Sequence, residues 1–130
     1  MTTIMIVEDD SAVSHMLGDV LSDYGYNVVM AFDGYNALQK LGGVEPDLIL
    51  CDEMMPRMAG HALCLHLAAD EKYRHIPVVM MSARQLESIP APETCLMFIR
   101  KPFTQDDLLN TVTDILGDAP SYLELTLGRP

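Results

Sequence analysis

Glu8 and Asp9 follow the apolar run 4–7, Asp52 follows 48–51, Ser82 follows 76–81, and Lys101 stands two residues after the run 96–99. Three carboxylates, a hydroxyl and an ammonium at the ends of short apolar runs form a set suited to phosphoryl transfer, provided that those ends meet in space. An aspartate can attack phosphorus as a nucleophile and form an acyl phosphate. A lysine can hold a phosphoryl oxygen, and a serine can donate to another. Taken singly each residue has a plainer reading: Asp52 as a loop carboxylate or helix cap, Lys101 as a surface cation, Ser82 as a turn cap.

The runs themselves favour convergence. Residues 48–51 are apolar without interruption, as in a strand covered on both faces of a parallel sheet. Residues 4–7, 28–31, 76–81 and 96–99 have the same character. Between them the apolar period changes to three and four: Val13, Met16, Leu17, Val20, Leu21 and Tyr24; then Ala37, Leu38 and Leu41; then Leu63 and Leu67 within 62–69; and finally Leu108, Val112, Ile115 and Leu116. Asp10 or Ser11 and Thr104 are placed to cap the first and last helices, while Gly25, Gly42, Gly43 and Gly117 are placed to stop theirs. Pro56 and Gly60 punctuate a loop after Asp52, the first for its fixed φ and the second for positive φ or a close approach. Between residues 83 and 95, Pro90 and Pro92 leave room for only a short fourth helix, over 84–88. Strands alternating with helices predict an open parallel sheet with helices on both faces, whose strand ends share a crevice.

Charge argues in the same direction. Two carboxylates about 5 Å apart repel by roughly 3 kcal/mol at an effective dielectric near 20, and a third adds to that. A hard divalent cation offsets the repulsion, and Mg²⁺ takes a few oxygen ligands while retaining water.

The 130 residues predict one domain with a full core. A net charge of −11 excludes direct nucleic-acid binding through a basic patch and suits a cation or a basic partner. Cys51, Cys64 and Cys95, odd in number and set in apolar segments, read as reduced thiols, which with the absence of a basic leader-like start predicts a cytoplasmic protein. No apolar run is long enough to span a membrane. The ten methionines are read as core and gap fillers, with Met54, Met55 and Met58 leaving an apolar rim for a partner. His61, Cys64 and His66 match no standard zinc spacing, and His15 and His75 read as surface residues.

In order and spacing, IMIVEDD at 4–10, DLILCDEMMPRMAG at 47–60, VVMMSA at 78–83 and FIRKPF at 98–103 resemble the response-regulator receiver domains of two-component signalling. The resemblance spans residues 4–117. It implies a doubly wound (βα)5 flavodoxin-like fold with strand order 2-1-3-4-5, here with a shortened fourth helix. The receiver domain would cover 1–118, and 119–130 would be a tail or linker stub, with Leu123, Leu125 and Leu127 alternating beyond Pro120.

The same resemblance implies that Asp52 accepts a phosphoryl group from a phosphohistidine on a sensor histidine kinase or phosphotransfer protein, to pass the signal to a downstream effector. Asp9 and Asp52 would bind Mg²⁺ directly, Glu8 through water, and the backbone carbonyl of Met54 would complete the protein ligands. Lys101 would pair with the phosphoryl group. Ser82 would be drawn to it, and Phe98 would turn inward as the switch aromatic. Pro102 corresponds to the family's cis-proline joint. Such a domain is not an enzyme in the usual sense, but assists its own phosphotransfer and dephosphorylation.

Ala59, Met54 and Arg84 depart from the family pattern, the last two where phosphoryl lifetime is tuned. Three other readings share parts of the pattern. A pseudo-receiver would bind partners without phosphorylation, but every site residue is intact. An aspartyl phosphatase of the haloacid-dehalogenase type would want a second Asp where Met54 stands. A flavodoxin-like electron carrier would want a phosphate-cradling loop after the first strand.

Overall fold

The computed structural model describes residues 2–83 and 95–117. Its strands are β1 (Thr3–Val7), β2 (Asn27–Ala31), β3 (Leu48–Asp52), β4 (Val78–Ser82) and β5 (Cys95–Arg100), and its described helices are α1 (Ser11–Asp23), α2 (Gly34–Lys40), α3 (Gly60–Ala68) and α4 (Gln105–Leu116). All pairings are parallel, in the order β2-β1-β3-β4-β5. This is the flavodoxin-like topology expected from the sequence. The segment for which a short fourth helix is expected, with Arg84, Pro90 and Pro92, lies outside the described residues, as does the tail 119–130.

Strand parity divides the core in two. On one face Met5, Val7, Ile49, Cys51, Val78 and Met80 pack with Ala37 of α2 and with Leu63, Cys64 and Leu67 of α3. On the other, Ile4, Ile6, Leu48, Leu50, Val79, Met81 and Ile99 pack with Leu17 and Leu21 of α1 and Leu108 and Val112 of α4. Because β3 and β4 are buried at every position, their sequences show no polar alternation. Each fully buried aliphatic side chain in these layers contributes roughly 2 kcal/mol.

The helix ends follow their capping chemistry. Asp10 accepts from the N–H groups of Ala12 and Val13 at the start of α1. Thr104 and Asp107 form a reciprocal capping box on α4. Gly25 and Gly117 adopt positive φ where α1 and α4 stop.

Two starts differ from expectation by two residues. Strand β4 begins at Val78, so Ile76 and Pro77 lead into it, the carbonyl of Pro77 still accepting from Ile49 N–H at 3.0 Å. Helix α3 starts at Gly60, two residues early, because glycine's missing side chain lets the helix begin against the strand. A Cβ there would lie 2.6 Å from the Asp52 carbonyl oxygen and 2.9 Å from the Glu53 Cα. Close approach is therefore what Gly60 provides, whereas the positive φ in this loop falls on Arg57, at 67°.

Candidate functional site

The order of the sheet creates a crevice at β1 and β3, since the chain leaves β1 for β2 on one side and returns to β3 on the other. Glu8 and Asp9 lie just past the end of β1, and Asp52 is the last residue of β3. Carboxylate oxygens of Glu8, Asp9 and Asp52 all lie within 4.8 Å of one another. Glu8 and Asp52 are 3% and 5% exposed, while Asp9 faces solvent.

Lys101 reaches the same point from β5. A register irregularity in the β4–β5 pair between Val78 and Val79 sets Ser82 opposite Arg100, and Lys101 N–H then donates to the Ser82 carbonyl at 2.9 Å. Its Nζ donates to Asp52 Oδ1 at 3.0 Å and lies 3.5 Å from Glu8 Oε1. The following Lys101–Pro102 peptide is cis. Ser82 ends β4 and is buried. Phe98, beside Met80 on β5, is half-buried against the α2/α3 core. The side chain of Met54 is 62% exposed, but Met58 is buried with its sulfur against Gly34. Met58 therefore belongs to the core, and the expected rim does not include it.

Burial is the largest influence on Glu8 and raises its pKa from the ordinary 4.5 to about 7. The Asp10 N–H lowers it, the charge of Asp52 raises it, the charge of Lys101 lowers it and a bond with Asp9 raises it. For Lys101, burial pulls the pKa down, but the hydrogen bond to Asp52 and the charges of Asp52 and Glu8 more than offset that, so the pKa is raised. The lysine therefore stays an ammonium, and among the described residues three acids share one cation. The all-oxygen donor set of Glu8, Asp9 and Asp52 fits a hard divalent ion of the Mg²⁺ type better than a softer metal.

Two supporting pairs escaped the sequence reading. Buried Asp33 caps α2 through Asn36 N–H at 2.7 Å and is ion-paired with Arg57, whose guanidinium also lies over Tyr35 at 5.7 Å. Buried Glu53 lies 3.0 Å from His61 Nδ1. Glu53 had a visible signal: its parity matches Ile49 and Cys51, so a charged residue stood where the apolar face predicts a buried one. The partners, 24 and 8 residues away, had none.

The open, doubly wound sheet thus sets an acidic crevice opposite a lysine, the arrangement of a signalling receiver. The profile of the response regulator receiver domain matches residues 4–113. The polar-differentiation response regulator DivK of Brucella ovis is 32% identical over 120 residues, covering 90% of this chain and 98% of the relative. The hybrid signal transduction histidine kinase D of Dictyostelium discoideum is 32% identical over 116 residues, covering 87% of this chain but 7% of that protein. Among solved structures, the signal receiver domain of a signal transduction histidine kinase from Syntrophus aciditrophicus superimposes with a TM-score of 0.81 at 30% identity, covering 89% of this chain and 90% of that one. This chain belongs to the response regulator receiver domain family, the receiver class of two-component signalling.

Proposed function

We propose that this chain is the phosphoacceptor of a two-component phosphorelay, taking a phosphoryl group from a phosphohistidine of a sensor histidine kinase or phosphotransfer protein onto Asp52. The observation that carries this reading is the meeting of Glu8, Asp9 and Asp52 within 4.8 Å, with Lys101 3.0 Å from Asp52. In the transfer a carboxylate oxygen of Asp52 forms the new bond to phosphorus as the phosphorus–nitrogen bond breaks. The electron pair and a proton return to the departing imidazole, leaving an acyl phosphate. The Lys101 ammonium holds a phosphoryl oxygen, and the Ser82 hydroxyl donates to another. Asp9, Asp52, the Met54 carbonyl and, through water, Glu8 would hold Mg²⁺. That ion supplies neutralisation of the charge gathered at the phosphoryl oxygens.

The phosphoryl group then biases two conformations through its contacts with Ser82 and Lys101, with Phe98 moving inward as Ser82 is drawn away. The apolar cleft of about 340 Å³ beside Lys101, lined by Val13, Met16, Ala83, Pro102 and Phe103, suits the apolar face of a donor helix. We assign the receiver domain to 1–118 and the tail to 119–130. The buried thiols of Cys51 and Cys64 support a cytoplasmic setting. No described helix is long and apolar enough to cross a membrane. The net charge of −11 supports protein partners over nucleic acid.

Intact-mass analysis after incubation with Mg²⁺ and a small acyl-phosphate donor tests the reading. One phosphoryl adduct is expected, absent without Mg²⁺ and absent in Asp52→Asn. An adduct that persists in Asp52→Asn would overturn the assignment, and a wild-type chain that binds Mg²⁺ but takes no adduct from either the donor or a phosphorylated kinase would favour the pseudo-receiver.

A further inference from the structure

Glu53 is a buried acid that phosphoryl transfer at Asp52 does not use. It directly follows the acceptor, yet it is 1% exposed and shares the strand parity of Ile49 and Cys51, which face α2 and α3. There Oε1 lies 3.0 Å from His61 Nδ1, in the first turn of α3. Between a carboxylate and a ring N–H the N–H donates, so Nδ1 carries the hydrogen of this bond. The backbone is fastened at the same place: Gly60 N–H donates to the Glu53 carbonyl at 2.9 Å, and Glu53 N–H donates to the Met81 carbonyl at 2.9 Å. With no room for a side chain at Gly60, α3 rests directly on the backbone of residues 52 and 53.

We propose that Glu53 and His61 are positioning residues for the cation site, a reading that rests on the phosphoacceptor function above. The bond locks the 52–53 backbone against α3. It thereby sets the direction in which the Asp52 carboxylate and the Met54 carbonyl are presented to the ion. Packing alone is a poor reason for the pair, because an apolar side chain of similar volume at a buried ion pair is often neutral or stabilising. What an apolar side chain lacks is direction, whereas a hydrogen bond fixes one orientation of the side chain and of the peptide that carries it. Groups that orient metal ligands without touching the metal commonly change affinity by about 10- to 100-fold when removed.

The test is a calorimetric titration of the full chain with Mg²⁺ alone at pH 8, with thermal midpoints measured on the same samples. Glu53→Leu is expected to keep a midpoint close to wild type and to bind Mg²⁺ about tenfold more weakly. His61→Leu should show the same loss, and the double variant no more than either single change. Glu53→Gln retains an acceptor for the His61 N–H and should recover wild-type affinity to within about twofold. Equal affinity in wild type, Glu53→Leu and His61→Leu would overturn the proposal. So would a Glu53→Gln variant as weak as Glu53→Leu, since that pattern means the charge acts through space and not through orientation. Should Glu53→Leu fail to fold, His61→Leu decides alone, its site being partly exposed. A wild-type chain that takes no Mg²⁺ at all would overturn the phosphoacceptor reading itself, and this proposal with it.

Discussion

The two faces of the sheet handle their acids in opposite ways. Around the α1/α4 face, Glu8, Asp9 and Asp52 crowd within 4.8 Å and share Lys101. Around the α2/α3 face, Asp33 has Arg57 and Glu53 has His61. The first arrangement leaves negative charge over, and a buried carboxylate there is driven toward protonation, as Glu8 is at about 7. The second satisfies each acid locally and ties the loop between β3 and α3 to two helices. On the proposed function the unbalanced cluster would receive a cation and a phosphoryl group, and the balanced pairs would hold the receiving end still.

If the comparison is right, neutralising an acid has opposite signs on the two faces. Asp33→Ala removes the cap on α2 and the partner of Arg57, and should destabilise the fold by about 2 kcal/mol. Asp52→Asn keeps an oxygen for Lys101 while relieving repulsion by Glu8 and Asp9, and should stabilise the Mg²⁺-free protein by about 1 kcal/mol. Urea denaturation without Mg²⁺ measures both. Two changes of the same sign would erase the distinction between the faces.

A further effect comes from pH. Because the folded pKa of Glu8 is raised from 4.5 to about 7, the folded chain holds a proton that the unfolded chain has lost across that interval. The contribution of Glu8 to stability is therefore greatest below pH 4.5 and falls as pH rises toward 7. Mg²⁺ bound as proposed would compete with that proton for the charge of Glu8, so its affinity should weaken by up to about tenfold per pH unit below 7 and level off above. Titrations at pH 6, 7 and 8, with Glu8→Gln as the control, test this. An unchanged affinity between pH 6 and 8 would mean that Glu8 stays ionised in the fold.

The sequence announced one face far better than the other. Continuous apolar runs marked β1, β3 and β4, and the acids and lysine stood at strand ends, so their convergence followed from topology alone. Caps at Asp10 and Thr104 were legible because capping is local, within three residues. The balanced pairs were not, because Asp33 with Arg57 and Glu53 with His61 depend on how α2 and α3 pack against the loop. Met58 misled for the same reason: its place in the core is decided by Gly34, which sits on another element. Gly60 was half legible, its close approach readable but not the helix it opens, since glycine is a poor helix former.

The smallest expected effect separates the two jobs of Arg57. Arg57 is the central residue of a γ-turn, with Met58 N–H donating to the Pro56 carbonyl at 2.7 Å and Arg57 itself at φ 67°. A side chain in that region costs about 1 kcal/mol, which glycine avoids. The Arg57 side chain is 63% exposed, so its bond to Asp33 is screened on one side and contributes about 1 kcal/mol or less. Arg57→Gly should therefore be close to neutral, the released strain offsetting the lost pair, while Arg57→Ala loses the pair and keeps the strain, at a cost of about 1 kcal/mol. Denaturation midpoints in that order would show that the left-handed backbone is maintained against its own preference by the tie to Asp33. Equal midpoints for the two variants would place the stability of this turn in the packing of Met58 and not in the residue beside it.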